Sequence, residues 1–124
     1  MTIELVPVEG YEYAAVFIPE LNIKAPAGCL LSFPQFQEDF ETLRKNKIIT
    51  VDKKKIKFKW RYSHTSLAQY FYNLEKPIKY FWSIVEFDFY IKPHTLKHLI
   101  SINKRIDHSK DCKDYAKLKK LLNR

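Results

Sequence analysis

Between Lys55 and Tyr62 cations and apolar residues alternate: Lys55, Lys57, Lys59 and Arg61 interleave with Ile56, Phe58, Trp60 and Tyr62. On a β-strand successive side chains point to opposite faces, so the four cations share one face. With Lys53 just ahead of them, such a row is suited to neutralising phosphates along a nucleic-acid backbone. It would equally suit an edge strand whose lysines guard against sheet-to-sheet association. The rings raise a second chemistry, the stacking of unpaired bases in a charged groove. A stacking platform needs rings and charges on the same face, however, and alternation separates them. Phe58, Trp60 and Tyr62 are therefore expected in the core.

A second group lies at His94, Thr95, Lys97, His98 and Ser101. On a helix opening at Pro93 these side chains face outward, toward a groove or toward water. The segment Trp82–Ser101 carries the apolar skeleton of a helix-turn-helix, with Val85, Phe89, Ile91, Leu96 and Leu99 where the helix contacts are wanted. Glu86 and Tyr90 stand where that motif usually has a small residue and a glycine. The same skeleton fits a plain helical hairpin.

Other chemistries find no support. His94 and His98 are four apart, a spacing that can put two imidazoles on one ion, yet no Cys, Asp or Glu completes a ligand set; no metal or other cofactor is expected. No serine or cysteine belongs to a nucleophile-base motif, so no catalytic residue is assigned and no enzyme is expected. Two glycines in 124 residues exclude a Gly-rich phosphate loop. Cys29 and Cys112 fit no metal or redox spacing and read as reduced thiols of a cytoplasmic protein. No stretch could span a bilayer, and Met1–Glu4 does not read as a signal peptide.

The elements that must hold these residues follow from periodicity. Thr2–Val8 and Tyr11–Ile18 suggest a hairpin about Glu9-Gly10, although Tyr11–Phe17 also fits a short helix. Asn22–Leu31 reads as loop. A helix opens near Ser32 as N-cap with Pro34 in its first turn, and Phe33, Phe36, Phe40 and Leu43 form its apolar face. Glu38, Asp39 and Glu41 fall largely on the other faces. Ile48–Val51 and Lys55–Tyr62 form a basic hairpin. Beyond Ser63 the period turns helical: Leu67, Ala68, Phe71 and Leu74 precede a stop at Pro77. A helix is favoured over a strand from about Lys79 to Phe87, and another runs from Pro93 to Arg105. Asp107-His108-Ser109 would cap a last helix with Tyr115, Leu118 and Leu122 as its stripe, and His64 and His108 sit where they can serve as caps.

Charge divides along the chain. Residues 1–43 carry one base and seven acids, 1 − 7 = −6; residues 44–124 carry 21 bases and seven acids, 21 − 7 = +14, which together give the net +8. A positive half of this density is an electrostatic footprint for a polyanion. The expectation is one α+β domain spanning residues 1–124. It has an acidic β/α portion (1–46), a basic hairpin (47–62) and three or four C-terminal helices (63–124), with winged-helix-like character open.

The run from Ile56 to Phe71, IKFKWRYSHTSLAQYF, resembles a signature in the C-terminal part of RteC-type regulators of conjugative transposons. A lysine-rich strand ends in Trp60, a Ser-x-Thr link follows, and a helix opens with Leu67. Trp82–Phe89 and the closing Lys/Leu helix are more loosely similar, so the likeness covers residues 55–123. The acidic N-terminal segment has no counterpart in that family's long helical region. The resemblance implies a helical regulator with winged-helix character acting on mobile-element DNA. The leading expectation is a non-enzymatic nucleic-acid-binding protein, DNA first, with no membrane partner. The competing one is a protein-interaction or accessory module, whose acidic and basic halves complement each other within the monomer or across a homodimer.

Overall fold

The computed structural model describes residues 2–52, 54, 57–74, 81–89 and 91–124. The first hairpin forms as expected: β1 (Glu4–Val6) pairs antiparallel with β2 (Ala15–Ile18), Leu5 opposite Val16. The segment read as loop holds a third strand, β3 (Ile23–Ala25), antiparallel to β2 with Ile18 opposite Ile23. Asn22 makes this turn at φ 49°, in the left-handed region that asparagine tolerates better than most residues. Val16, Ile18, Ile23 and Ala25 face the core.

A short 3-10 turn at Leu30–Ser32 leads into α1 (Pro34–Lys45). Phe33, not Ser32, occupies the N-cap, with Pro34 in the first turn. Ser32 is engaged one step earlier, where its hydroxyl donates to the Cys29 carbonyl (2.6 Å) and accepts from the Gly28 N–H (3.0 Å). Phe36, Phe40 and Leu43 are fully buried, as their spacing requires. Asp39 departs from the expected solvated face and lies in the interior. It is held there by the Tyr70 hydroxyl, which donates at 2.8 Å, and by both terminal nitrogens of Arg124 at 2.8 and 2.9 Å. A buried carboxylate is tolerable only with such partners.

The second hairpin joins β4 (Ile49–Asp52) to β5 (Lys57–Trp60), Val51 opposite Phe58. Among the described residues four helices follow: α2 (His64–Tyr72), α3 (Phe81–Asp88), α4 (Pro93–Arg105) and α5 (Lys113–Leu121). The favoured helix at 79–87 is thus present as α3, residues 79 and 80 lying outside the described ones, as does Pro77. The α+β architecture and the four C-terminal helices agree with the sequence. The ribbon precedes the helices in the chain.

Phe58 joins the two parts of the core. Its ring lies 5.7 Å from Phe36, 5.9 Å from Phe40 and 5.6 Å from Phe89, centroid to centroid. Helix α2 is the central post, packed against α4 and α5. Its Gln69 side chain, almost fully buried, donates to the Lys110 carbonyl (2.8 Å) and accepts from the Cys112 N–H (3.0 Å). The capping expected from Asp107-His108-Ser109 is not realised. Asp107 closes its own turn by accepting from Ser109, His108 stacks on Tyr72, and Cys112 occupies the N-cap of α5. Tyr115 and Leu118 are buried as the stripe predicts.

Candidate nucleic-acid interface

Strand β5 divides its cations. Lys57 is only 8% exposed and does not belong to a solvent-facing row. The alternation correctly separates odd from even positions, but α3 packs against β5 and covers the odd face at Lys57. Burial pushes the Lys57 ammonium below its ordinary value, partly offset by the nearby Asp88 carboxylate. Asp88, at the end of α3, is itself buried and accepts the Leu30 N–H at 2.7 Å. Loss of water raises its carboxyl to about 6, against the Leu30 hydrogen bond and Lys57, which pull downward. The same surroundings push the Cys29 thiol up to about 11, burial first and Asp88 second. These three groups tie β5, α3 and the 3-10 turn together inside the protein and offer no reactive thiolate.

Past Lys57 the strand emerges. Lys59 and Arg61 are exposed, and Trp60 is half-buried. The Trp60 indole N–H donates to Ser66 Oγ at 3.0 Å, and its ring lies 5.6 Å from Tyr70 and 6.4 Å from Phe89. One side of the ring is therefore core, as expected. The ring also lines a cleft of about 400 Å³, and Lys59 lines the same cleft. Strict alternation keeps ring and charge apart; at the end of this strand they border one cavity.

The cleft is closed by the starts of two helices and the turn between α3 and α4. His64 contributes from the first turn of α2, Ile91 and Lys92 from the turn, and His94 and Thr95 from the first turn of α4. Leu67 and Phe89 complete an apolar floor. Four nitrogen-bearing side chains thus surround a ring, and no carboxylate is among the described residues lining the cavity. The two helix starts differ. Ser63 caps α2, its hydroxyl accepting from the Ser66 N–H at 3.3 Å, and its own N–H is held by Asp114 at 2.8 Å. Helix α4 begins at N-cap Lys92 with no side-chain cap and Pro93 in its first turn. The first-turn N–H groups of His94 and Thr95 have no acceptor within the helix, as at any helix start. They carry its partial positive charge.

Of the sequence-derived candidates, Lys59, His94 and Thr95 meet in the cleft. Lys97 and His98 continue along the exposed face of α4, joined by Lys104 and Arg105. Ser101 is half-buried, and its carbonyl accepts from Arg105 Nε at 3.3 Å. Arg61 is exposed outside the cleft lining; Lys53 and Lys55 lie outside the described residues. His64, Lys92 and the open side of Trp60 escape sequence reasoning. Lys92 had one available signal, its position just before a first-turn proline. Helices α3 and α4 pack against each other, with Val85, Phe89 and Leu99 buried. That is the core the helix-turn-helix skeleton requires and that any helical hairpin shares.

Among the described residues no helix is long and apolar enough to cross a membrane, and no three His, Cys, Asp or Glu side chains are grouped to hold a metal ion. No protein-family model matches the chain, and no curated protein or solved structure matches it significantly.

Proposed function

We propose that this protein is a non-enzymatic nucleic-acid-binding domain that engages DNA through α4 and the cleft at its start. The observation that carries this reading is the convergence of Lys59, His64, Lys92 and His94 on one cavity with no described carboxylate in its lining. From there the exposed cations Lys97, Lys104 and Arg105, with His98 beside them, extend along α4, a length of helix suited to a groove. The buried positions of Asp39 and Asp88 withdraw two acids from the surface field. Phosphate contacts come from Lys59, Arg61, Lys92 and Lys97; His94, Thr95, His98 and Ser101 are the candidates for base edges. The resemblance to RteC-type regulators would make the natural target mobile-element DNA and the role regulatory.

A protein-interaction module is the second reading, favoured by a different surface. The outer face of the β1–β3 sheet exposes Val6 (52%) and forms a shallow apolar depression of about 560 Å³ with Ala15, Phe17 and Pro26. Salt separates the two. Fluorescence anisotropy of a labelled random duplex should show binding that weakens steeply as salt rises, with a slope set by the number of phosphates neutralised. An apolar protein interface responds little. Absence of duplex and single-strand binding at low salt would remove the nucleic-acid reading.

A further inference from the structure

We propose that the cleft between β5, α2 and the start of α4 is a receptor for one unpaired nucleotide, holding its phosphate at the α4 N-terminus and its base against Trp60. This rests on the nucleic-acid reading and narrows it to a specific site. Three independent features converge. The cavity, about 400 Å³, falls within the range of small-ligand sites, so one nucleotide can fill it whereas a duplex would meet only its mouth. Its floor is apolar and partly aromatic, from Trp60, Leu67, Phe89 and Ile91, which suits a planar base and not a hydrated phosphate. Its rim carries two ammonium groups, Lys59 and Lys92, and two imidazoles that can donate hydrogen bonds, His64 and His94.

The polarity of the occupant follows from that division. An acidic peptide would match the rim but would leave the apolar floor without a planar partner. A lipid headgroup would place its chains where the described lining residues provide no long apolar channel. A nucleotide supplies both halves at once. Its phosphate meets Lys92 and the uncapped N–H groups of His94 and Thr95, where the dipole of a 13-residue helix adds to the field. Lys59 and His64 then flank the sugar. The ring of Trp60 is fixed on its inner side by Ser66 and Tyr70, so it meets a base without first having to be ordered.

The test uses the full chain carrying Trp82→Phe, so that Trp60 is the sole tryptophan. A short oligothymidylate is titrated and Trp60 fluorescence is followed; a blunt duplex is titrated in parallel by anisotropy. The single strand should quench Trp60. Trp60→Leu, with its fold checked by urea unfolding, should weaken single-strand affinity, read by anisotropy, by roughly tenfold while leaving duplex affinity within about threefold, because the duplex is held by the cations and offers no unpaired base to stack. A strand that binds without quenching Trp60, or whose affinity ignores Trp60→Leu, overturns the nucleotide site and leaves the nucleic-acid reading standing. Equal losses for strand and duplex also overturn it, because Trp60 would then serve a surface common to both polymers and not an unpaired base. Binding of neither polymer removes both readings together.

Discussion

Asp88 is the residue whose chemistry can be predicted in most detail. Its carboxyl has an ordinary value of 3.8 and is raised by burial to about 6. The folded protein therefore takes up a proton as pH falls through about 6, whereas the unfolded chain waits until about 3.8. Between these limits the folded state binds more protons, so acidification stabilises it through this group; the contribution is complete below 3.8 and is lost as pH rises through 6. At ~1.4 kcal/mol per pH unit the full effect is up to about 3 kcal/mol. Asp88→Asn keeps an acceptor for the Leu30 N–H and removes the titration. The assay is urea denaturation of wild type and variant at about pH 7.5 and about pH 4.5, read as the difference between the two proteins at each pH. Taking the difference removes carboxylates common to both. These include Glu20, Glu41 and Asp107, which are held below their ordinary values by hydrogen bonds and act in the opposite direction. Wild type should gain on the variant at the lower pH. A difference that is constant with pH would refute the argument and mean that Asp88 has water or a stronger cationic partner in solution.

Trp60→Ala should destabilise the fold by roughly 3 kcal/mol, the low end for a large aromatic because one side of the ring is open, and Trp60→Phe by less; thermal or urea unfolding gives both values. Asp39→Ala should cost more than Arg124→Gln. The first leaves the buried Tyr70 hydroxyl without its acceptor, about 1–3 kcal/mol, whereas the Arg124 side chain is 45% exposed and its pair is screened to about 1 kcal/mol or less. Titration with a thiol reagent at neutral pH should modify Cys112 readily and Cys29 only at the rate of unfolding, because Cys29 is buried with its thiol raised to about 11; equal rates would contradict this.

Sequence made the faces of elements legible, and tertiary covering was not. The spacing of Phe33, Phe36, Phe40 and Leu43 could only be a core-facing helix, and the Ile48–Val51 run with the alternation after it could only be a ribbon. Strand β3 was missed because three residues between a left-handed Asn22 and Pro26 carry no period of their own. Lys57 and Asp39 were misread for one shared reason. Periodicity assigns a side chain to a face of its own element, but the packing of α3 on β5, and the reach of Tyr70 and Arg124 to α1, decide whether that face meets water. The cleft is a still longer-range product. Lys59 and Lys92 are brought to one rim by two intervening helices, and nothing local to either residue announces the other.

Gln69 leaves a mark on how this chain can associate. Its amide presents one donor and one acceptor to Lys110 and Cys112, the same complement a neighbouring strand's peptide would offer. The last residues of the connection into α5 are thus held at Lys110 and Cys112 by a side chain impersonating backbone. Exchange of a helix between copies begins with the opening of such a hinge. Freeing α5 would break the two Gln69 hydrogen bonds as well as withdraw Tyr115 and Leu118 from the core, so loss of the carboxamide removes one of the restraints on trading that helix with a neighbour.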